Sequence, residues 1–142
     1  MKQTANKKFL LATLAIALAF ATAVVGCETE PEKGPLEGTT WSRVVNSFSS
    51  TMTIHYVFEL TFIDASNAKV RQTGYTQQSG KQKNNIDTTA EYTYTYDSKA
   101  NADGWQGALT PKSSSNIGYV FKISGNTLTT WTASGAAEWT KD

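Results

Sequence analysis

Between Thr40 and Lys141 apolar and polar side chains alternate in short runs, and Asn, Asp, Gly and Ser punctuate the chain between them. Alternation has the period of a β-strand, whose successive side chains point to opposite faces. Met52 to Ile63 is the clearest run, with Met52, Ile54, Tyr56, Phe58, Leu60 and Phe62 on one face and Thr53, His55, Glu59 and Thr61 on the other. Asp64-Ala65-Ser66-Asn67 has turn chemistry, and Ala68 to Tyr75 returns with Lys69, Arg71 and Thr73 outward. Thr76 to Thr89 is polar and reads as a long loop. Glu91 to Tyr96 aligns Tyr92, Tyr94 and Tyr96 on one face, and Asp97 to Gly104 is rich in turn residues. Trp105 to Thr110 is a short strand stopped by Pro111, and Ile117 to Ile123 puts Ile117, Tyr119, Phe121 and Ile123 together. Ser124-Gly125-Asn126 turns into Thr127 to Ala133, and Ala136 to Lys141 closes the chain. With Thr40 to Val45 as the first, the runs make eight strands joined by local connections, and no stretch carries the helical period. Eight antiparallel strands in sequence order suit an up-and-down barrel, whose closure removes exposed sheet edges. A two-sheet β-sandwich is the alternative.

The N-terminus follows a different rule. Lys2, Lys7 and Lys8 form a basic head, and Phe9 to Val25 is almost unbroken apolar sequence. A basic head, an apolar stretch and a small residue at the cut make a secretory signal. Val24-Val25-Gly26-Cys27 also resembles the lipobox of bacterial lipoproteins at all four positions, and Cys27 is the only cysteine. The resemblance implies cleavage between Gly26 and Cys27, acylation of Cys27, and a membrane partner held through that lipid. The chain then divides into a signal peptide over 1–26, a lipidated cysteine and tether over 27–37, and a barrel domain over 38–142. Glu28 to Glu37 carries two prolines and four acids, an extended tether of up to about 35 Å at ~3.5 Å per residue. Folded sequence starts near Leu36 or Gly38. Glu28 stands after the cysteine where aspartate retains enterobacterial lipoproteins in the inner membrane. The expected location is therefore the bacterial cell envelope, at the periplasmic or surface face of the outer membrane.

Leu36-Glu37-Gly38-Thr39-Thr40-Trp41 resembles the opening of lipocalin-like (calycin-like) domains, where a glycine and a tryptophan start the first strand. Glu59-Leu60-Thr61-Phe62, Tyr92 to Tyr96, Ser124 to Thr129 and Trp139-Thr140-Lys141 keep the order found in small bacterial lipocalin-like lipoproteins. Two residues separate Gly38 from Trp41 where the usual spacing has one, and Lys141 is the only candidate for the basic residue that packs over that tryptophan. The resemblance implies a fold rather than an activity, because one fold hosts unrelated functions.

Charge and chemistry narrow the function. Removing residues 1–26 takes away three lysines and no acid, so ten bases then face twelve acids and the net charge is −2. A near-neutral domain without basic clusters argues against nucleic acid as a partner. His55 is the only histidine, on the outward side of its strand, and no Gly-x-Ser-x-Gly turn or free thiol accompanies it. One histidine and an acylated cysteine do not make a zinc site. Asp97 to Gly104 does not fit the calcium-loop register, since Lys99 falls at the first ligand position and Thr110 where a glutamate belongs. No catalytic residue, metal or cofactor is expected, and the chain is not read as an enzyme. Asp87-Thr88-Thr89 resembles the O-glycosylation signal of exported Bacteroidota proteins, a motif short enough to arise by chance.

The aromatics are the stronger lead. Trp41, Tyr56, Tyr92, Tyr94, Tyr96, Trp105 and Trp131 are the candidate ligand-binding residues, since Tyr and Trp can line a pocket and each offers a polar handle. An eight-stranded barrel is just wide enough to be filled by side chains or to hold one small ligand. Bulky inward faces favour an envelope interaction or structural module, acting on another envelope protein or a polysaccharide. Trp131, at odd parity in its strand, is the best candidate for an aromatic that contacts such a partner. The alternative is a small-molecule-binding barrel that holds an apolar or aromatic ligand.

Overall fold

The computed structural model describes residues 34–142, so Gly26, Cys27, the signal segment and most of the tether lie outside the described residues. Eight strands follow one another: β1 (Thr40–Phe48), β2 (Met52–Phe62), β3 (Asn67–Gln78), β4 (Asn84–Tyr96), β5 (Gly107–Pro111), β6 (Tyr119–Ser124), β7 (Thr127–Thr132) and β8 (Gly135–Lys141). Each pairs antiparallel with the next, and β1 pairs with β8 through Trp41↔Lys141 and Ser42↔Thr140. The ladder is therefore a closed up-and-down barrel and not two stacked sheets. Among the described residues, every strand pairing and the buried cluster belong to this one barrel, a compact unit with a core of its own, as an independently folding domain has.

One end of the barrel is packed solid. Leu60 and Phe62 from β2 meet Ala68, Tyr94, Leu109, Phe121 and Leu128 there, all buried. Phe62 lies edge-on to Tyr94 at 4.7 Å between ring centroids and 5.8 Å from Phe121. The turn before β1 closes this end like a stopper. Leu36 is 6% exposed, the Gly38 N–H donates to the Phe62 carbonyl at 2.8 Å, and the Thr39 hydroxyl donates to the Leu36 carbonyl at 2.7 Å. Trp41 is buried beside it, and Lys141 Nζ stands 5.9 Å from the Trp41 ring centroid.

The β2–β3 turn is fixed at the same end by Asp64. Its carboxylate accepts from the backbone N–H groups of Ser66 and Asn67 at 2.9 and 2.8 Å, and from Asn67 Nδ2. Those donors, the Ser66 N–H foremost, hold the Asp64 carboxyl below the usual carboxylate range. The Tyr94 hydroxyl donates to the Asp64 carbonyl at 2.7 Å and ties β4 to this turn.

Two segments differ from the pattern-based expectation. Thr76 to Thr89, read as a loop, is mostly strand: β3 runs to Gln78, β4 begins at Asn84, and only five residues connect them. Here the register continues through Gln72↔Thr88, Thr73↔Asp87 and Gly74↔Ile86. Polar β-branched residues sustain a ladder where neither face packs on a core, so strand remains while the alternation fades. Ile117, expected beside Tyr119 on an inward face, is 61% exposed in the loop before β6, which begins only at Tyr119.

Candidate functional site

The interior does not stay filled along its length. Beyond Leu60 and Tyr92, toward the β1–β2 and β3–β4 turns, the barrel opens into a cavity of about 310 Å³. Its depth is set by side chains of inward parity on successive strands. Arg43 comes from β1, Phe58 from β2, Val70 and Gln72 from β3, and Thr88, Ala90 and Tyr92 from β4. Tyr119, Thr130 and Trp139 complete the floor and far wall, and Ser115 to Ile117 of the β5–β6 loop form the rim.

Trp139 anchors the floor. Its indole N–H donates to the Thr130 hydroxyl at 3.0 Å, and Thr130 is itself buried. Thr130→Val should therefore lower the unfolding free energy by about 1–3 kcal/mol, the cost of leaving a buried donor without an acceptor. Chemical denaturation checks it; a loss within ~0.5 kcal/mol, the range of an ordinary surface change, would mean another acceptor replaces the hydroxyl.

Among the described residues, Arg43 is the one charged side chain of the wall. Its guanidinium carbon lies 4.8 Å from the Phe58 ring centroid and 5.2 Å from that of Trp139. Phe58 and Trp139 meet edge-on at 6.4 Å, so the two rings form an angled seat for the cation. Tyr92 and Tyr119 face each other across the cavity floor at 5.9 Å. Burial first, and then the neighbouring Tyr119 hydroxyl, push the Tyr92 phenol well above its ordinary value. Tyr92 thus stays protonated at any physiological pH and keeps a donor in the cavity.

The sequence-predicted aromatics divide into three places. Tyr92 lines the cavity. Tyr56 lies nearer the open end on the same inward face as Phe58, 6.1 Å from it and edge-on. Trp41 and Tyr94 belong to the packed end, and Tyr96 stacks parallel to Phe121 at 6.1 Å. Trp105 and Trp131 sit on the outside, paired at 4.5 Å beside Val120 and Ala108 along a shallow groove. Arg43 was not singled out from sequence, although the signal was present. If Trp41 points inward on a strand, so does the residue two positions on.

The remaining candidates have local roles. His55 Nδ1 shares a 2.6 Å hydrogen bond with Asn46 Oδ1 on the outer face, and its ring tilts over Tyr75 at 5.6 Å. In the β4–β5 connection Asp97 accepts from the Lys99 N–H and Asn101 from the N–H groups of Asp103 and Trp105. Those oxygens brace a turn. Asp87 pairs with Arg71 through two hydrogen bonds of 2.9–3.0 Å, while Thr88 faces the cavity. No group of three His, Cys, Asp or Glu side chains converges among the described residues.

No family model, curated protein or solved structure matches this chain. The chain is an eight-stranded antiparallel closed barrel, an architecture compatible with the lipocalin-like fold.

Proposed function

We propose that this protein is a lipid-anchored barrel of the bacterial envelope that binds one small molecule in its open half. The observation that carries the reading is the division of the interior. Bulky side chains pack one end to closure, while the other keeps a cavity of about 310 Å³, at the lower end of the range for small-molecule sites. In that half the inward side chains line an open space instead of filling it. Aromatic faces from Phe58, Tyr92, Tyr119 and Trp139 suit a ligand with a flat or apolar body. The signal pattern and Val24-Val25-Gly26-Cys27 support an anchor on Cys27, and Glu28 supports outer-membrane placement. The role is binding, without catalysis.

A second reading keeps the protein as an envelope interaction module. The Trp105–Trp131 pair on the outer wall favours it. The deciding experiment is native mass spectrometry of residues 28–142 after incubation with an extract of the source cells. A discrete adduct lost on denaturation is expected. A bare chain mass would reject the binding reading and turn attention to crosslinking at the Trp131 face.

A further inference from the structure

Arg43 poses a problem that the barrel does not solve by itself. Its Nε is shut off from solvent and has no hydrogen-bond partner. None of the side-chain hydrogen bonds among the described residues uses its guanidinium, and the ion pairs among them are Arg71–Asp87 and Lys112–Glu91, both made by exposed side chains. Among the described residues, no Asp or Glu lines the cavity that Arg43 enters. Arg43 is only partly buried as a residue, and Nε is the atom that its surroundings leave without an acceptor. Phe58 and Trp139 offer it their ring faces, which supply attraction but accept no N–H bond in the guanidinium plane.

From this geometry we infer that the cavity is selective for an organic anion: a monocarboxylate on an aromatic or otherwise apolar body, with Arg43 as its anchor. The inference deepens the small-molecule reading and rests on it. One positive charge in a wall without acids is balanced by one negative charge on the ligand. The planar fork of Arg43 matches a carboxylate in two parallel hydrogen bonds. Tyr92, held in its protonated form, stands in the same cavity as a neutral donor. Away from the cation the lining turns apolar at Val70, Ala90 and Ile117, where the body of the ligand would lie. Recognition is thus divided between a charged head at β1 and an apolar body toward β3, β4 and the rim.

The same observations argue against a structural role for Arg43. A structural arginine is tied down by hydrogen-bond acceptors, and the Arg43 Nε has none. Removing the charge should therefore remove the preference for acids.

The test uses matched probes on residues 28–142. Benzoate, phenylacetate, indole-3-acetate and octanoate are titrated calorimetrically, each beside its primary amide, in phosphate-free buffer at neutral pH. For the pair that fits best, the acid is expected to bind the wild type about tenfold more tightly than the amide, or ~1.4 kcal/mol. Arg43→Gln should bind acid and amide alike, with the tenfold preference lost. Arg43→Lys, which keeps the charge and loses the fork, should retain part of the preference. This variant and the wild-type acid–amide comparison carry the test should Arg43→Gln not fold. Equal affinity for acids and amides in the wild type would overturn the inference, as would a preference that survives in Arg43→Gln. In either case a bound amide, or a neutral adduct captured from the extract, leaves the binding reading standing. If no probe binds and the extract leaves a bare chain, both readings fall together.

Discussion

Phe62→Ala is expected to lower the free energy of unfolding by about 3–5 kcal/mol, the range for truncating a buried phenylalanine. Phe62 is fully buried at the packed end, against Tyr94 on one side and Phe121 on the other. Its backbone carries the closing turn as well, donating to the Thr39 carbonyl at 3.0 Å and accepting from the Gly38 N–H at 2.8 Å. Neighbours so constrained cannot collapse into the space, so the lost contacts and the residual cavity both count. Denaturant unfolding of residues 28–142 measures the difference directly, with the slope expected to stay constant. A loss under ~1.5 kcal/mol would mean that the packed end rearranges freely.

Gly107→Ala comes next, at about 2–3 kcal/mol by overpacking. Gly107 sits between Tyr96 on β4 and Phe121 on β6, at an inward position. A methyl group there would lie 2.6 Å from Phe121 Cε1, closer still to Phe121 Cζ, and against the Thr95 carbonyl oxygen. The ring cannot swing aside, because Tyr96 stacks on it and Phe62 borders it. The double variant Gly107→Ala/Phe121→Leu should recover part of the loss, a coupling that a double-mutant cycle reads out. Strict additivity of the two changes would place the strain elsewhere.

Much of the barrel was legible because period-two alternation reports which side chains share a face. Met52 to Ile63 is strand almost to the residue, and the inward set of Leu60 and Phe62 is indeed the core. Trp131 lies outward as its parity required, since its register partners Val120 and Ala136 are on the outer wall with it. Legibility failed where burial fails. Thr76 to Thr89 has no core to alternate against, so its strands carried no hydrophobic signature. The cavity was illegible for another reason. Parity says that Phe58, Tyr92 and Tyr119 point inward, but whether they meet across the barrel depends on its width at that level. Arg43 was overlooked because a charge is expected to face water, and only its distance from Trp41 along β1 says otherwise.

The unequal strands carry a consequence for how this molecule meets its own copies. β8 accompanies β1 only at Trp41 and Ser42, and β5 accompanies β4 only from Tyr92 onward. Past those points β1–β4 continue as a four-stranded flap whose two margins have no strand partner among the described residues, so the ring relocates its open edges without abolishing them. The β4 margin, from Asn84 to Ala90, is dressed mainly in asparagine, aspartate and threonine, which discourage strand addition. The β1 margin carries the exposed Val44 and Phe48 instead, and Arg43 stands at its root. Crowding would therefore act first on β1, and the polar stretch that concealed β4 from a reading of the sequence is what keeps the opposite margin solitary.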